Sequence, residues 1–253
     1  MIRVEIPVSS SLFAGHFPGH PILPGIAHLA LAERALREIT GQDVSLAGVR
    51  NLKLRRPVSP GDILEIRIGS PDEEGTVRFE VRCNGEVASQ GTVQVRTGST
   101  GEADGDFGAA DAPVAGFPPP ETLLPHAPPA RLLRAIVEAT DVAVVAIAEV
   151  SPSHPLVTDG RLPTFLALEA AAQAAAALEA LGRREAPGPR MGYLVGIRDA
   201  RFAVPSLPAG RLLRVAARLE GGAFPLSVYA VTVGEAEREI ATGIISTFLL
   251  TAP

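Results

Sequence analysis

One stretch of this chain occurs twice, and that repetition limits what the chain can fold into. Val49-Arg50-Asn51-Leu52-Lys53-Leu54-Arg55-Arg56-Pro57, continuing through Gly61 to Ile66, returns as Ile197-Arg198-Asp199-Ala200-Arg201-Phe202-Ala203-Val204-Pro205, continuing through Gly210 to Val215. Both copies read as strand, Pro/Gly turn, strand. Each is followed by further alternating runs, Val77 to Val81 and Glu86 to Val95 in the first half, Leu226 to Val233 and Glu239 to Leu250 in the second. Each is preceded by one helical segment. The pattern predicts an α+β fold in which two antiparallel sheets each wrap a central helix, a pseudo-dimer within one chain.

Between the copies the composition changes. Thr97 to Asp106 is small and polar, and Gly116-Phe117-Pro118-Pro119-Pro120 is stiff. Such a segment buries too little apolar surface to order itself. The chain therefore divides into an N-terminal domain over 1–96, a linker over 97–120 and a C-terminal domain over 121–253. With 253 residues, 46% of them hydrophobic, there is material for two ordinary cores. A net charge of −5 argues against a general nucleic-acid partner, because phosphate binding needs a basic face. Met1 to Ile6 reads as a strand rather than a signal segment, and no apolar run is expected to reach the roughly 20 residues that span a bilayer. The single Cys83 excludes an intramolecular disulfide and a multi-cysteine metal site. A cytoplasmic protein with no membrane partner is the expectation.

The two helices differ in kind. The first, about Gly25 to Ile39, has an apolar face set by Ile26, Leu29 and Leu36. The second, about Thr164 to Leu181, is apolar almost all round and should be buried on every side. Glu169 and Gln173 lie four apart on one of its faces. An ionised carboxylate there is costly unless it is paired or its pKa rises. Read structurally, Glu169 is an acid favoured by the helix dipole; read chemically, it is a site residue. The other chemical signal is in the first half, in Gly15-His16-Phe17-Pro18-Gly19-His20-Pro21-Ile22-Leu23-Pro24-Gly25-Ile26. His16 is a base suited to near-neutral pH, and Pro24-Gly25 leave backbone N–H groups free at a helix start.

The His16–Ile26 run resembles the active-site segment of the 3-hydroxyacyl-acyl-carrier-protein dehydratases, whose hot-dog fold is a long helix wrapped in an antiparallel sheet. The second half resembles the same superfamily through Leu124-Pro125-His126-Ala127-Pro128-Pro129 and Glu169-Ala170-Ala171-Ala172-Gln173. With Asp159 to Pro163 and Gly192 to Arg198, it is most similar to the dehydratase-like proteins of aryl-polyene pigment pathways. The resemblance implies a double hot-dog that dehydrates a 3-hydroxyacyl thioester carried on phosphopantetheine, with acyl carrier protein or coenzyme A as partner. It implies neither a metal nor an organic cofactor. It leaves room for further homo-oligomerisation.

The departures from that pattern matter. The family's acid stands fourteen residues after the histidine, which from His16 is Ala30; Glu33 faces elsewhere. Fourteen residues before Glu169 stands Pro155, with His154 one residue further off. In dimeric relatives each site takes its histidine from one subunit and its acid from the other. Carried over, His16 and Glu169 form one composite site, with Gly25 as oxyanion donor and Gln173 orienting the acid. His154 then faces Ala30 in a second, degenerate site. Arg50, Lys53, Arg55 and Arg56 form a basic cluster that could dock a carrier or its phosphate. His20 and His28 read as bystanders, and His126 as packing at the entrance to the second domain. Two other readings compete: a hot-dog acyl thioesterase relying on Glu169 alone, and a non-catalytic acyl-binding or partner subunit.

Overall fold

Runs rich in Val, Ile and Leu with polar residues between them form strands in both halves. The computed structural model describes residues 1–98, 116–183, 189–235 and 238–250. In the first half, β1 (Ile2–Glu5) precedes α1 (Ala27–Thr40), then β2 (Val44–Leu54), β3 (Ile63–Ile68), β4 (Thr76–Cys83) and β5 (Glu86–Thr97). The second half opens with a short α2 (Pro120–Leu123), β6 (Leu133–Ala139), β7 (Ala143–Glu149) and β8 (Arg161–Pro163). It continues with α3 (Ala167–Gly182), β9 (Gly192–Phe202), β10 (Ser206–Pro208), β11 (Leu212–Ala223), β12 (Leu226–Glu235) and β13 (Arg238–Leu249). Strand β7 corresponds to β1, and of the described sheet strands only β6 has no counterpart in the first half. Most of the expected linker falls on 99–115, outside the described residues; at its ends Thr97 still closes β5 and Pro120 opens α2.

The two expected sheets are halves of one. Eleven strands run in the order β1-β3-β4-β5-β2-β9-β13-β12-β11-β7-β6, with every pairing antiparallel. β8 and β10 form a separate two-stranded ribbon. The halves meet where β2 pairs with β9, Gly48 opposite Arg201 and Lys53 opposite Gly196. In the repeat Lys53 corresponds to Arg201 and Gly196 to Gly48, so the pairing is its own mirror across a local twofold, as in an isologous dimer. Gly48 is required there, since a Cβ would lie 2.5 Å from the Ala200 carbonyl oxygen.

Each helix lies against its own half. α1 packs on β2 and β3, with Leu29, Ala32, Ala35 and Leu36 buried. Three residues past Ala30, Glu33 accepts a hydrogen bond from the Leu46 N–H (3.1 Å) and pairs with Arg37 at 2.9 Å. It is a structural carboxylate tying α1 to β2, and burial pushes its pKa up. α3 is enclosed by β6, β7, β11, β12 and β13, and its Ala170, Ala171, Ala174 and Ala177 are wholly buried. With the 3-10 turn that leads into it, this helix spans Thr164–Gly182, 19 residues, long and apolar enough to cross a membrane. That corrects the expectation that no run comes near such a length. Two thirds of it (67%) is buried inside the protein, the signature of a core helix.

Placing a methyl group on the seam tests how tightly the halves are joined. Gly48→Ala should destabilise the chain by about 1–3 kcal/mol, the usual cost of overpacking. A thermal midpoint equal to that of the unaltered protein would contradict the close β2–β9 approach.

Candidate active site

The loop between β1 and α1 carries His16 onto the second half. Gly15 sits at φ +78°, and a Cβ on it would lie 2.0 Å from the Ala127 carbonyl oxygen, so a side chain is excluded. The Ala127 N–H donates to the Gly15 carbonyl at 3.0 Å. The first-half histidine loop is thus fastened to the segment that carries His126.

His16 is fixed in one tautomer when neutral. Its Nδ1–H donates to the Ile22 carbonyl (3.0 Å), and the Ile22 N–H donates back to the His16 carbonyl (3.2 Å). A carbonyl oxygen can only accept, so Nε2 carries the lone pair. The ring stacks on Phe17 with centroids 4.2 Å apart and meets His126 edge-on at 5.2 Å. Phe17 in turn lies against Tyr193 of β9 at 6.4 Å, so both halves hold the ring.

Glu169 occupies the first turn of α3, where the dipole favours negative charge. Gln173, one turn on, donates from Nε2 to Glu169 Oε1 (3.2 Å) and to the Ala130 carbonyl (2.8 Å). Its Oε1 accepts the Leu132 N–H at 2.8 Å. Gln173 therefore holds the Glu169 carboxyl and also anchors the strand entry beside it.

A third ring completes the site. His126 Nε2 stands 3.7 Å from Glu169 Oε1, and donor atoms of His16, His126 and Glu169 all lie within 4.8 Å of one another. Burial, with the neighbouring His16, lowers the His126 pKa to about 3, so the ring is neutral at ordinary pH. Its Nδ1 is buried without a hydrogen-bond partner among the described residues. Sequence reasoning had placed His126 in a packing role; its motif was visible, but its distance in the chain from positions 16 and 169 hid its neighbours. Two imidazoles and a carboxylate are also a zinc-type donor set, although ligand atoms around tetrahedral zinc stand only about 3.3 Å apart. Holding an ion here would require the trio to close.

His16, Glu169, Gln173 and Gly25 line one cavity of about 180 Å³. Gly25 narrows it, for a Cβ there would lie 2.7 Å from Leu54 Cδ1. The N–H groups of Ala27, His28 and Leu29 bond back to Pro24, Gly25 and Ile26, which leaves the Gly25 and Ile26 amides without protein acceptors among the described residues. From Glu169 the cavity follows α3 past Ala172, Ala175 and Ala176 to Glu179, about 15 Å at 1.5 Å per residue. Arg55, Arg56 and Arg190 also line it. The expected basic cluster is divided: Arg50 pairs with Glu74 at 2.5 Å, Arg56 with Glu86 at 2.6 Å, and neither Arg50 nor Lys53 lines the cavity.

His154, the histidine of the expected second site, lies close to the composite one. His154 lines a small pocket with Leu12, Ile26 and Leu166 that backs onto His16 and Glu169, and Ala30 is not part of it. The Leu156 N–H donates to His154 Nδ1 (3.2 Å), so this ring is held in the chain turn at Ser151–Val157.

An antiparallel sheet wrapped on a central helix, repeated and joined edge to edge, with a histidine from one half facing a carboxylate from the other, defines a double hot-dog of the dehydratase class. The chain belongs to the ApeP-like family, described as ApeP dehydratase, which matches residues 118–252; the ApeI-like family, described as ApeI dehydratase, matches residues 1–92. It is also similar to the 3-hydroxyacyl-[acyl-carrier-protein] dehydratase FabZ of Latilactobacillus sakei, 36% identical over 101 residues that span 34% of this chain and 72% of that protein. Among solved structures, the dehydratase domain of a trans-AT polyketide synthase from Brevibacillus brevis superposes with a TM-score of 0.70 at 13% identity, covering 98% of this chain and 93% of that one. The dehydratase domain of PpsC from Mycobacterium tuberculosis, solved with C12:1-CoA, gives 0.62 at 16% identity, covering 98% and 92%. At these identities the two structures establish the double fold.

Three histidines kept neutral by burial set an acid response. His28 and His154 are lowered to about 4 and His126 to about 3, whereas unfolded histidine titrates near 6.5. The unfolded chain then binds more protons between about pH 4 and 6.5, so stability is full above that window and falls as pH drops through it. Denaturant midpoints measured from pH 7 to 4.5 should decline with an uptake approaching three protons; no decline would contradict the buried neutral rings.

Proposed function

We propose that this chain dehydrates a 3-hydroxyacyl thioester to the 2-enoyl thioester at one composite site between its halves. The observation that carries the reading is the pairing of His16, with Nε2 free to accept a proton, and Glu169 from the opposite half, their donor atoms within 4.8 Å. At that separation a single β-hydroxy thioester can touch both groups.

In this reading His16 Nε2 takes a proton from C2, and the electron pair forms the C2–C3 double bond. The C3–O bond breaks, Glu169 in its acid form gives a proton to the departing hydroxyl, and water leaves. Transient charge on the thioester oxygen meets the Gly25 amide at the positive end of α1. Gln173 holds Glu169 in place. Neutral His126, 3.7 Å from the carboxyl, supports its orientation without adding charge. The exchange is redox-neutral and moves only protons, so these side chains suffice without a cofactor.

The acyl chain is assigned to the Ala-lined channel along α3, and the phosphopantetheine arm to the side where Arg55 and Arg56 can meet its phosphate. An acyl carrier protein is the proposed donor, and coenzyme A thioesters share the same arm. Only one site is complete, because Ala30 offers no proton in the first-half helix.

His16→Ala and Glu169→Gln should each lower formation of the enoyl thioester, followed by its ultraviolet absorbance, by about 10²–10⁴-fold. Free-thiol release is followed in parallel. Thiol release by the unaltered protein and by His16→Ala alike, without enoyl product, would replace this reading with thioester hydrolysis.

A further inference from the structure

The reaction above leaves one buried polar pair in the first half without a task. His28 lies three residues beyond Gly25 on α1 and is 2% exposed. Its Nδ1 stands 2.8 Å from the hydroxyl of Ser89, which is wholly buried on β5. Nε2 has no protein partner among the described residues, yet the ring lines the same cavity as His16 and Glu169. A buried polar ring costs free energy unless its nitrogens are satisfied. One held at the first nitrogen and open to a cavity at the second is prepared for a ligand group.

Its position indicates which group. Ser89 pairs with Leu54, and the carbonyl of the adjacent Ala88 accepts the N–H groups of Arg55 (2.8 Å) and Arg56 (3.3 Å). The His28–Ser89 pair is therefore joined through the start of α1 to Gly25 and through the β2–β5 ladder to the strand end that carries Arg55 and Arg56, which also line the cavity. Three residues of helix rise by about 4.5 Å, close to the span from a thioester sulfur to the first amide of a phosphopantetheine arm. That amide offers both a carbonyl and an N–H, so either tautomer of a neutral ring can bond it.

We propose that His28, its ring fixed by Ser89, is the binding group for the thiol-proximal amide of the phosphopantetheine arm. This rests on the dehydratase reading above. It separates recognition of the arm from the chemistry: His16 and Glu169 act on the acyl group, while His28 registers it by gripping the carrier two carbons from sulfur.

The test uses two thioesters of one 3-hydroxyacyl group: the N-acetylcysteamine ester, which keeps this amide, and the S-pentyl ester, which replaces it with methylenes. The unaltered protein should favour the amide ester in kcat/KM by about tenfold, the worth of one good hydrogen bond. His28→Ala should bring the ratio close to unity, and Ser89→Ala should lower it part of the way by freeing the ring. Each ratio is taken within one protein preparation, so loss of folded enzyme cancels; if His28→Ala does not fold, Ser89→Ala supplies the comparison. A ratio unchanged in the variants, with both esters turned over, overturns the role of His28 alone. Turnover of neither ester by the unaltered protein overturns the dehydratase reading, and the ratio of dissociation constants for the two esters then judges His28 by the same criterion.

Discussion

Backbone hydrogen bonding between β2 and β9 is the constraint from which the rest of the molecule follows. It joins two sheets that would otherwise each end in an exposed edge, a liability for any antiparallel sheet. It also sets the geometry of the site, since a twofold-like register at Gly48–Arg201 and Lys53–Gly196 brings the loop before α1 alongside the segment before β6. The Gly15–Ala127 contact completes that approach at the level of single atoms. A histidine and a carboxylate about 150 positions apart in the chain thereby come to share one cavity.

The two halves have specialised within a common plan. In the first, the helix face that an acid would occupy carries Ala30, and the nearest carboxylate, Glu33, is consumed in tying α1 to β2. In the second, the acid and its glutamine are in place, but the local histidine is withdrawn into a turn behind them. A symmetric dimer would have two equivalent sites. In a single chain each half can carry one of the two groups, and one cavity takes His16 from the first and Glu169 from the second. The many alanines of α3 serve this arrangement twice, letting the sheet close on the helix and leaving a channel beside Ala172, Ala175 and Ala176.

Much of this was legible before any coordinates. The repeat announced the double fold, because periodic strand patterns and Pro/Gly turns are local properties that sequence displays directly. The composite site was legible from what each half lacked, Ala30 in one and a properly spaced histidine in the other. Strand β6 was passed over because the first half has no equivalent of it. The neighbours of His126 and His28 were hidden for a different reason: each owes its surroundings to residues far away in the chain, Glu169 for one and Ser89 for the other.

The central claim is that one acyl group is worked on by side chains from both halves. A crystal structure of Glu169→Gln soaked with a 3-hydroxyacyl thioester tests it most directly. The account predicts C2 of the acyl group within contact of His16 Nε2, the 3-hydroxyl against residue 169, and the chain running along Ala172 and Ala176. An acyl group bound beside Ala30, or reached by residues of one half only, would contradict it.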